Sequence, residues 1–142
     1  MYVRKSVCLF TIFLITLFAS SQQPSQQEMR KLIDENLQLA AKQYKYLQNL
    51  LPVGKVPRSY DSIKNELVTS GTDWWCSGFY PGTLWMIYDA TRDTIIKKEA
   101  ENRLAILEKE KTYTGNHDLG FMMYCSFGNA YSITKKADII CL

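Results

Sequence analysis

The chain has 142 residues, a length that suits at most one domain, and with 46% hydrophobic and 22% charged residues its composition is globular rather than disordered. The formal net charge is +3. Removing Met1–Ser21 takes Arg4 and Lys5 with it and leaves about +1, so no basic stripe remains to argue for a nucleic-acid partner.

The N-terminus carries the pattern of an export signal. Arg4 and Lys5 form a short basic region, Val7–Phe18 is an apolar run, and Ala19-Ser20-Ser21 supplies small residues before Gln22. The expected organisation is a signal peptide over residues 1–21 and a mature domain over 22–142, exported to a periplasm or secreted. The apolar run is short for a membrane span and polar Gln and Ser residues follow it at once, so no stable span is expected after cleavage. Cys8 lies inside this run. The mature chain keeps Cys76, Cys125 and Cys141, an odd number that is no disulfide framework. Export permits a Cys76–Cys125 bridge, but buried free thiols are the expected state. No Cys/His spacing resembles a zinc site, and no cofactor is implied.

After a polar joint at Gln22–Gln27, Ser25 and Glu28 fit a capping box, the serine hydroxyl and the glutamate carboxylate each satisfying a free backbone N–H. Met29, Leu32, Ile33, Leu37, Ala40, Ala41, Tyr44, Leu47 and Leu51 follow at spacings of three and four. They predict a long amphipathic helix that ends before Pro52 and Gly54. Pro52–Ser70 is expected to be a long irregular connection, with Ile63–Val68 a short extended piece at most. Gly82–Ala90 is a predicted helix with one broad apolar face. Arg92-Asp93 makes a turn, and Thr94–Lys111 a third helix. Its Ile96, Ala100, Leu104 and Leu107 face inward, and its Lys and Glu residues form a solvated face. Another loop precedes a buried helix over Leu119–Ile133, whose Gly120 and Gly128 allow close helix–helix approach. Lys135-Lys136-Ala137-Asp138 should open a further helix for which the remaining residues leave no room. There is no alternating strand pattern and no βαβ unit, so the expected class is all-α, built from antiparallel hairpins. Hairpins stacked side by side bring their long loops to one end and line one cleft with residues distant in sequence.

Two of those loops hold most of the chemistry. In Asp73-Trp74-Trp75-Cys76-Ser77-Gly78-Phe79-Tyr80-Pro81-Gly82, the rings of Trp74, Trp75, Phe79 and Tyr80 lie among small polar residues. Flat aromatic faces stack on the C–H face of a pyranose, although rings in such a segment also serve simply to fill a helix junction. In Gly115-Asn116-His117-Asp118-Leu119-Gly120-Phe121, the sole histidine stands beside an aspartate at a helix start. Asp118 there is either a cap for free N–H groups or a general acid/base carboxylate beside an imidazole. One carboxylate is half of the pair most glycosidases need, and of the other acids only Asp73 lies in a site loop, unlike Asp89 and Asp93. No G-x-S-x-G, P-loop or H-E-x-x-H motif is present.

Asp73-Trp74-Trp75-Cys76-Ser77-Gly78-Phe79-Tyr80-Pro81-Gly82-Thr83-Leu84-Trp85 and Gly115-Asn116-His117-Asp118-Leu119-Gly120-Phe121-Met122, in this order and at this separation, resemble glycoside hydrolase family 88, the unsaturated glucuronyl hydrolases. The resemblance spans roughly Gln27–Thr134. It implies an (α/α)6 barrel, six helical hairpins in a ring, of which this chain holds about a third. It also implies a reaction on lyase-made oligosaccharides that carry a 4,5-unsaturated uronic acid at the non-reducing end. The vinyl ether is protonated at C4, water adds at C5, and the hemiketal collapses to release the sugar. Asp118 stands at the place of the first of the family's two essential aspartates, to bind and orient the unsaturated ring. Trp75 stands at the place of a ring-stacking tryptophan, with Trp74 beside it and His117 supporting Asp118.

The family's second aspartate lies further along than this chain reaches. Twelve helices with their loops need on the order of 200 residues, so the chain is expected to be an N-terminal fragment, inactive and poorly soluble alone. The competing expectations are the related hydrolase of unsaturated galacturonyl–rhamnose, which shares the barrel, and a small secreted helical module that binds carbohydrate through Trp74 and Trp75.

Overall fold

A computed structural model describes residues 24–115 and 117–139. The signal peptide expected over residues 1–21, and the readings that touch Cys8, Asn116 and Cys141, lie outside the described residues. By its contacts the chain divides into Met1–Leu32 and Ile33–Leu142. The described part of the first unit is the opening of helix α1, Gln26–Leu50. The capping box forms there: the Ser25 backbone N–H and hydroxyl each donate to Glu28 Oε2 at 2.8 Å, and the Glu28 N–H donates to Ser25 Oγ at 3.2 Å. These bonds hold the Glu28 carboxyl below its ordinary range.

In the second unit α1 buries Ala41, with Ala40, Tyr44, Leu47 and Leu51 packed around the core. The predicted apolar stripe is therefore buried only over its later turns, since Met29, Leu32 and Ile33 remain 41%, 53% and 49% exposed. Spacing states which face of a helix can be buried; a neighbour must be present to bury it.

The connection expected to be irregular is instead a β-hairpin. Gly54, at φ 74°, turns the chain into strand β1, Val56–Asp61, which pairs antiparallel with β2, Glu66–Ser70. The turn is built by Asp61, whose Oδ1 accepts from the Ile63 and Lys64 N–H groups at 3.0 Å, and by Asn65 in the left-handed region. Pairing runs Pro57 to Thr69 and then Ser59 to Val68, so Arg58 is an extra, bulged residue. Pro57 and the missing period-two alternation hid these strands from the sequence reading. A lone two-stranded ribbon is marginal in water. This one is tied down by buried Val56 and by Arg103, which donates to the Lys55 carbonyl at 2.8 Å.

Helices α2, Phe79–Thr91, and α3, Thr94–Leu107, form the central helical hairpin. Pro81 falls in the first turn of α2, where its missing N–H is harmless. Arg92 closes α2 in the left-handed conformation, its N–H reaching the Tyr88 carbonyl at 2.7 Å. Asp93 then caps α3 by accepting from the Ile95 and Ile96 N–H groups at 2.9 and 3.2 Å. Its other oxygen accepts from Lys45 of α1 at 2.7 Å, so one carboxylate ties α3 to α1. The core between them holds Leu84, Trp85, Ile96, Ala100, Leu107 and Ala130, all fully buried.

The charges of α3 are expected to form a solvated face, but two of them do not. Glu99 and Arg103 are both buried and joined by a 2.5 Å ion pair, with the guanidinium also set over the Tyr80 ring. Beyond α3, a 3-10 turn at Glu108–Thr112 buries Glu110, which accepts from the Thr72 hydroxyl at 2.6 Å. Both glutamates carry the chain before α2 rather than facing water.

The last predicted helix is in three pieces: α4, Leu119–Met123, a π-helical turn at Tyr124–Gly128, and α5, Asn129–Thr134. Its own glycines do not mediate the close approach expected of them: nothing lies within 4 Å of a Cβ built on Gly120, and one on Gly128 meets only Tyr124 and Met123 of the same segment. The contact comes from the other side. A Cβ on Gly78 would sit 2.1 Å from the Met122 carbonyl oxygen, and one on Gly82 would sit 2.2 Å from that of Cys125. Backbone thus meets backbone, with buried Ser77 and Ser126 alongside. The Asn129 side chain takes the Cys125 carbonyl at 2.8 Å, and the Ser126 hydroxyl takes that of Met122. After α5 the chain makes a short 3-10 turn, Ala137–Ile139, where a longer helix was expected to begin.

Candidate active site

The first motif is wound tightly before α2. The Ser77 N–H reaches the Trp74 carbonyl at 2.8 Å and the Phe79 N–H reaches that of Cys76 at 3.1 Å. These turns send four aromatic side chains, which the sequence reading grouped as one platform, to three different places. Tyr80 goes inward. It stacks on Tyr44 with centroids 5.7 Å apart and planes at 11°, and burial, reinforced by the Glu99 charge, pushes its phenol well above the ordinary range. It is a core residue. Trp74 turns toward the hairpin, where the Arg58 guanidinium lies 4.5 Å from its ring centre. Trp75 and Phe79 stay together edge to face at 5.7 Å. Cys76 and Cys125 are free thiols, half-buried rather than fully buried.

The second motif meets this pair through Phe121. Its ring lies 6.3 Å from Trp75 and 6.0 Å from Phe79, both near-perpendicular, which closes a triangle of rings in the favoured edge-to-face geometry. The rings remain open to solvent, at 39% for Trp75, 38% for Phe79 and 51% for Phe121. An aromatic cluster inside a helix junction would be closed; this one is an exposed wall standing on the Gly78–Met122 contact.

Asp118 occupies the position before α4, one turn ahead of Phe121. Its backbone carbonyl accepts from the Phe121 and Met122 N–H groups at 2.9 and 3.3 Å, but its side chain makes no cap hydrogen bond. The capping role weighed from the sequence is therefore not what occupies the carboxylate. His117 Nε2 lies 3.5 Å from Asp118 Oδ2, and the imidazole is 93% exposed against 28% for the carboxylate. At that distance and exposure the histidine orients Asp118 only weakly.

The structure brings Trp75 to Phe121, three residues after Asp118, and leaves Trp74 on the hairpin. Asp73 is exposed in the loop, whereas Asp89 pairs with Arg92 at 2.9 Å and Asp93 serves as the cap described above. Sequence reasoning gave Phe121 no role. The available signal was its place three residues after Asp118, which puts both on one helical turn. Arg58 had no sequence signal, because its placement depends on the bulge. Among the described residues, no group of three or more His, Cys, Asp or Glu side chains is placed to hold a metal ion, and no helix is long and apolar enough to cross a membrane.

No protein-family model matches the chain. An unsaturated glucuronyl hydrolase of Formosa agariphila is 34% identical to it over 134 residues, covering 89% of this chain and 32% of that protein. A crystal structure of an unsaturated glucuronyl hydrolase specific for heparin superposes with a TM-score of 0.69 at 31% identity, covering 75% of this chain and 29% of that one. The chain thus spans about a third of the length of the relatives it matches. Apart from the hairpin the segment is mostly helical, and it follows the toroid to which the two motifs pointed. Sequence and backbone agree: over the part they share, the chain is similar to the unsaturated glucuronyl hydrolases and follows part of their helical toroid.

Proposed function

We propose that this chain supplies the Trp75/Asp118 side of a glycoside hydrolase site. The site releases a 4,5-unsaturated uronic acid from the non-reducing end of lyase-made, glycosaminoglycan-type oligosaccharides. The observation that carries this reading is the open triangle of Trp75, Phe79 and Phe121 one turn from a carboxylate that is not used as a helix cap. Trp75 takes the C–H face of the flattened, unsaturated ring, because its planar C4=C5 segment offers more apolar contact than a saturated chair. Asp118 receives the ring's hydroxyls and orients the C4=C5 bond.

The chemistry is hydration of a vinyl ether. C4 gains a proton, the cation at C5 takes a water oxygen, and that water gives up a proton. The hemiketal then opens to release the sugar, so the net consumption is one water. On this reading a second carboxylate moves these protons, and the purified 142 residues are expected to bind but not to turn over substrate. The names of the relatives, one of them specific for heparin, support a glycosaminoglycan-derived substrate. Export through residues 1–21 belongs to the same reading, since lyase products arise where the polymer is.

The test is titration of the purified chain with an unsaturated glycosaminoglycan disaccharide, followed by indole NMR shifts and by loss of the ultraviolet absorbance of the double bond. The expected result is a shift at Trp75 that Trp75→Ala abolishes, with the absorbance unchanged. A Trp75→Ala variant that binds as well as the parent would refute the reading.

A further inference from the structure

We propose that Arg58, seated on Trp74, is an anion subsite for the sugar attached to the unsaturated ring and reads a sulfate there; this rests on the reading above.

Four observations converge on it. A groove of about 340 Å³ runs from the hairpin to the first motif, lined by Pro57, Arg58, Tyr60, Cys76 and Phe79 among others. Phe79 also belongs to the ring triangle, so the groove continues the wall that holds Trp75. Arg58 is the residue the bulge inserts into β1, a device that re-aims one side chain at a chosen point. Its guanidinium lies 4.5 Å from the Trp74 ring centre, and among the described residues no carboxylate pairs with it.

An arginine parked on an indole keeps its planar fork pointed outward at little further entropic cost, since the ring has already fixed the long side chain. Such a fork matches the oxygens of a sulfate in a bidentate contact. Trp74 cannot offer the same face to a sugar while Arg58 covers it, so its part is to hold the cation. A groove of this volume suits one pyranose ring. A ring stacked on Trp75 would send its glycosidic neighbour along the wall past Phe79 toward Arg58.

The test uses the full 142-residue chain and two unsaturated disaccharides that differ only by a sulfate on the second ring. Binding is followed by indole NMR at low and at physiological ionic strength. The parent is expected to prefer the sulfated compound about five-fold at low salt, with the preference shrinking as salt rises. Arg58→Gln should erase the preference and leave affinity for the unsulfated compound within about two-fold, while Arg58→Lys restores part of it because charge survives without the planar fork. Equal binding of both compounds by the parent, or an Arg58→Gln variant that still prefers the sulfate, overturns the subsite and leaves the hydrolase reading standing. Failure of the parent to bind either compound overturns both.

Discussion

Gly82→Ala separates packing from propensity with opposite signs. Gly82 lies inside α2, where alanine is intrinsically better than glycine by about 1 kcal/mol, so an open site would be stabilised. The site is not open. The new Cβ would stand 2.2 Å from the Cys125 carbonyl oxygen and 3.0 Å from its carbon, and real Cβ atoms essentially never come closer than 3.0 Å to a neighbour. What must move is backbone against backbone, by about 1 Å, in an interior that packs like a crystal. Overpacking of this kind costs typically 1–3 kcal/mol, which outweighs the propensity gain. Gly78→Ala meets the Met122 and Phe121 carbonyls at 2.1 and 2.7 Å and should cost at least as much. Gly120→Ala is the internal control: it is helical with nothing within 4 Å, and it should be neutral or stabilising by up to about 1 kcal/mol.

The assay is urea unfolding of the three variants followed by tryptophan fluorescence, with shifts of the midpoint read at constant slope. Because Gly78 and Gly82 set the distance between the two motifs, both variants should also change the Trp75 indole signal, and Gly120→Ala should not. If Gly82→Ala is as stable as Gly120→Ala, or more so, the backbone contact is not what joins the motifs, and the account of the site fails with it.

Arg103→Ala strands buried Glu99 and frees the Lys55 carbonyl, so it should cost about 3–5 kcal/mol in urea unfolding, while a Glu99→Leu/Arg103→Leu double variant recovers much of that loss. Asp93 is held below its ordinary 3.8, first by the Lys45 hydrogen bond and then by its two helix N–H donors. Its contribution to stability is therefore full above 3.8 and is lost as pH falls through the lower folded value. Asp93→Asn should flatten that acid limb in urea midpoints measured against pH. Tyr80 has the opposite sign: burial raises its phenol above 10.0, so stability is intact below that value and is lost as pH rises through the higher folded one. Tyr80→Phe should remove from an alkaline absorbance titration a tyrosinate that forms only above the ordinary range.

Local signals carried the fold where they were self-sufficient. Ser25 and Glu28 lie three residues apart and need only each other, and they form the cap their spacing predicts. The inward set of α3 was equally legible, because Ile96, Ala100, Leu104 and Leu107 share one face at helical period. What the sequence hid depends on partners far along the chain. Glu99, Arg103 and Glu110 look like solvated charge until the loop from Lys55 to Thr72 is laid over them. The hairpin was masked by Pro57 and by the bulge at Arg58, both of which break the alternation that marks a strand. The break after Met123 has no periodic signature at all, since the apolar pattern runs on through the π turn.

The same contrast explains why the two motifs stood out before their geometry was known, although two of the four aromatics of the first motif went elsewhere. In Trp74-Trp75-Cys76-Ser77-Gly78-Phe79-Tyr80-Pro81-Gly82, the aromatics attract attention, yet the glycines decide the arrangement. Gly78 and Gly82 lie four residues apart on one face and meet carbonyls of Met122 and Cys125, three residues apart on the other element. Two such contacts fix both the distance and the rotation between the elements, so Phe121 has no choice but to meet Trp75 and Phe79. A substitution that enlarged either glycine would leave every aromatic in the sequence and still take the wall apart. The density of rings marks this stretch in the sequence, but the absence of two side chains is what lets the two motifs meet and brings the three rings together.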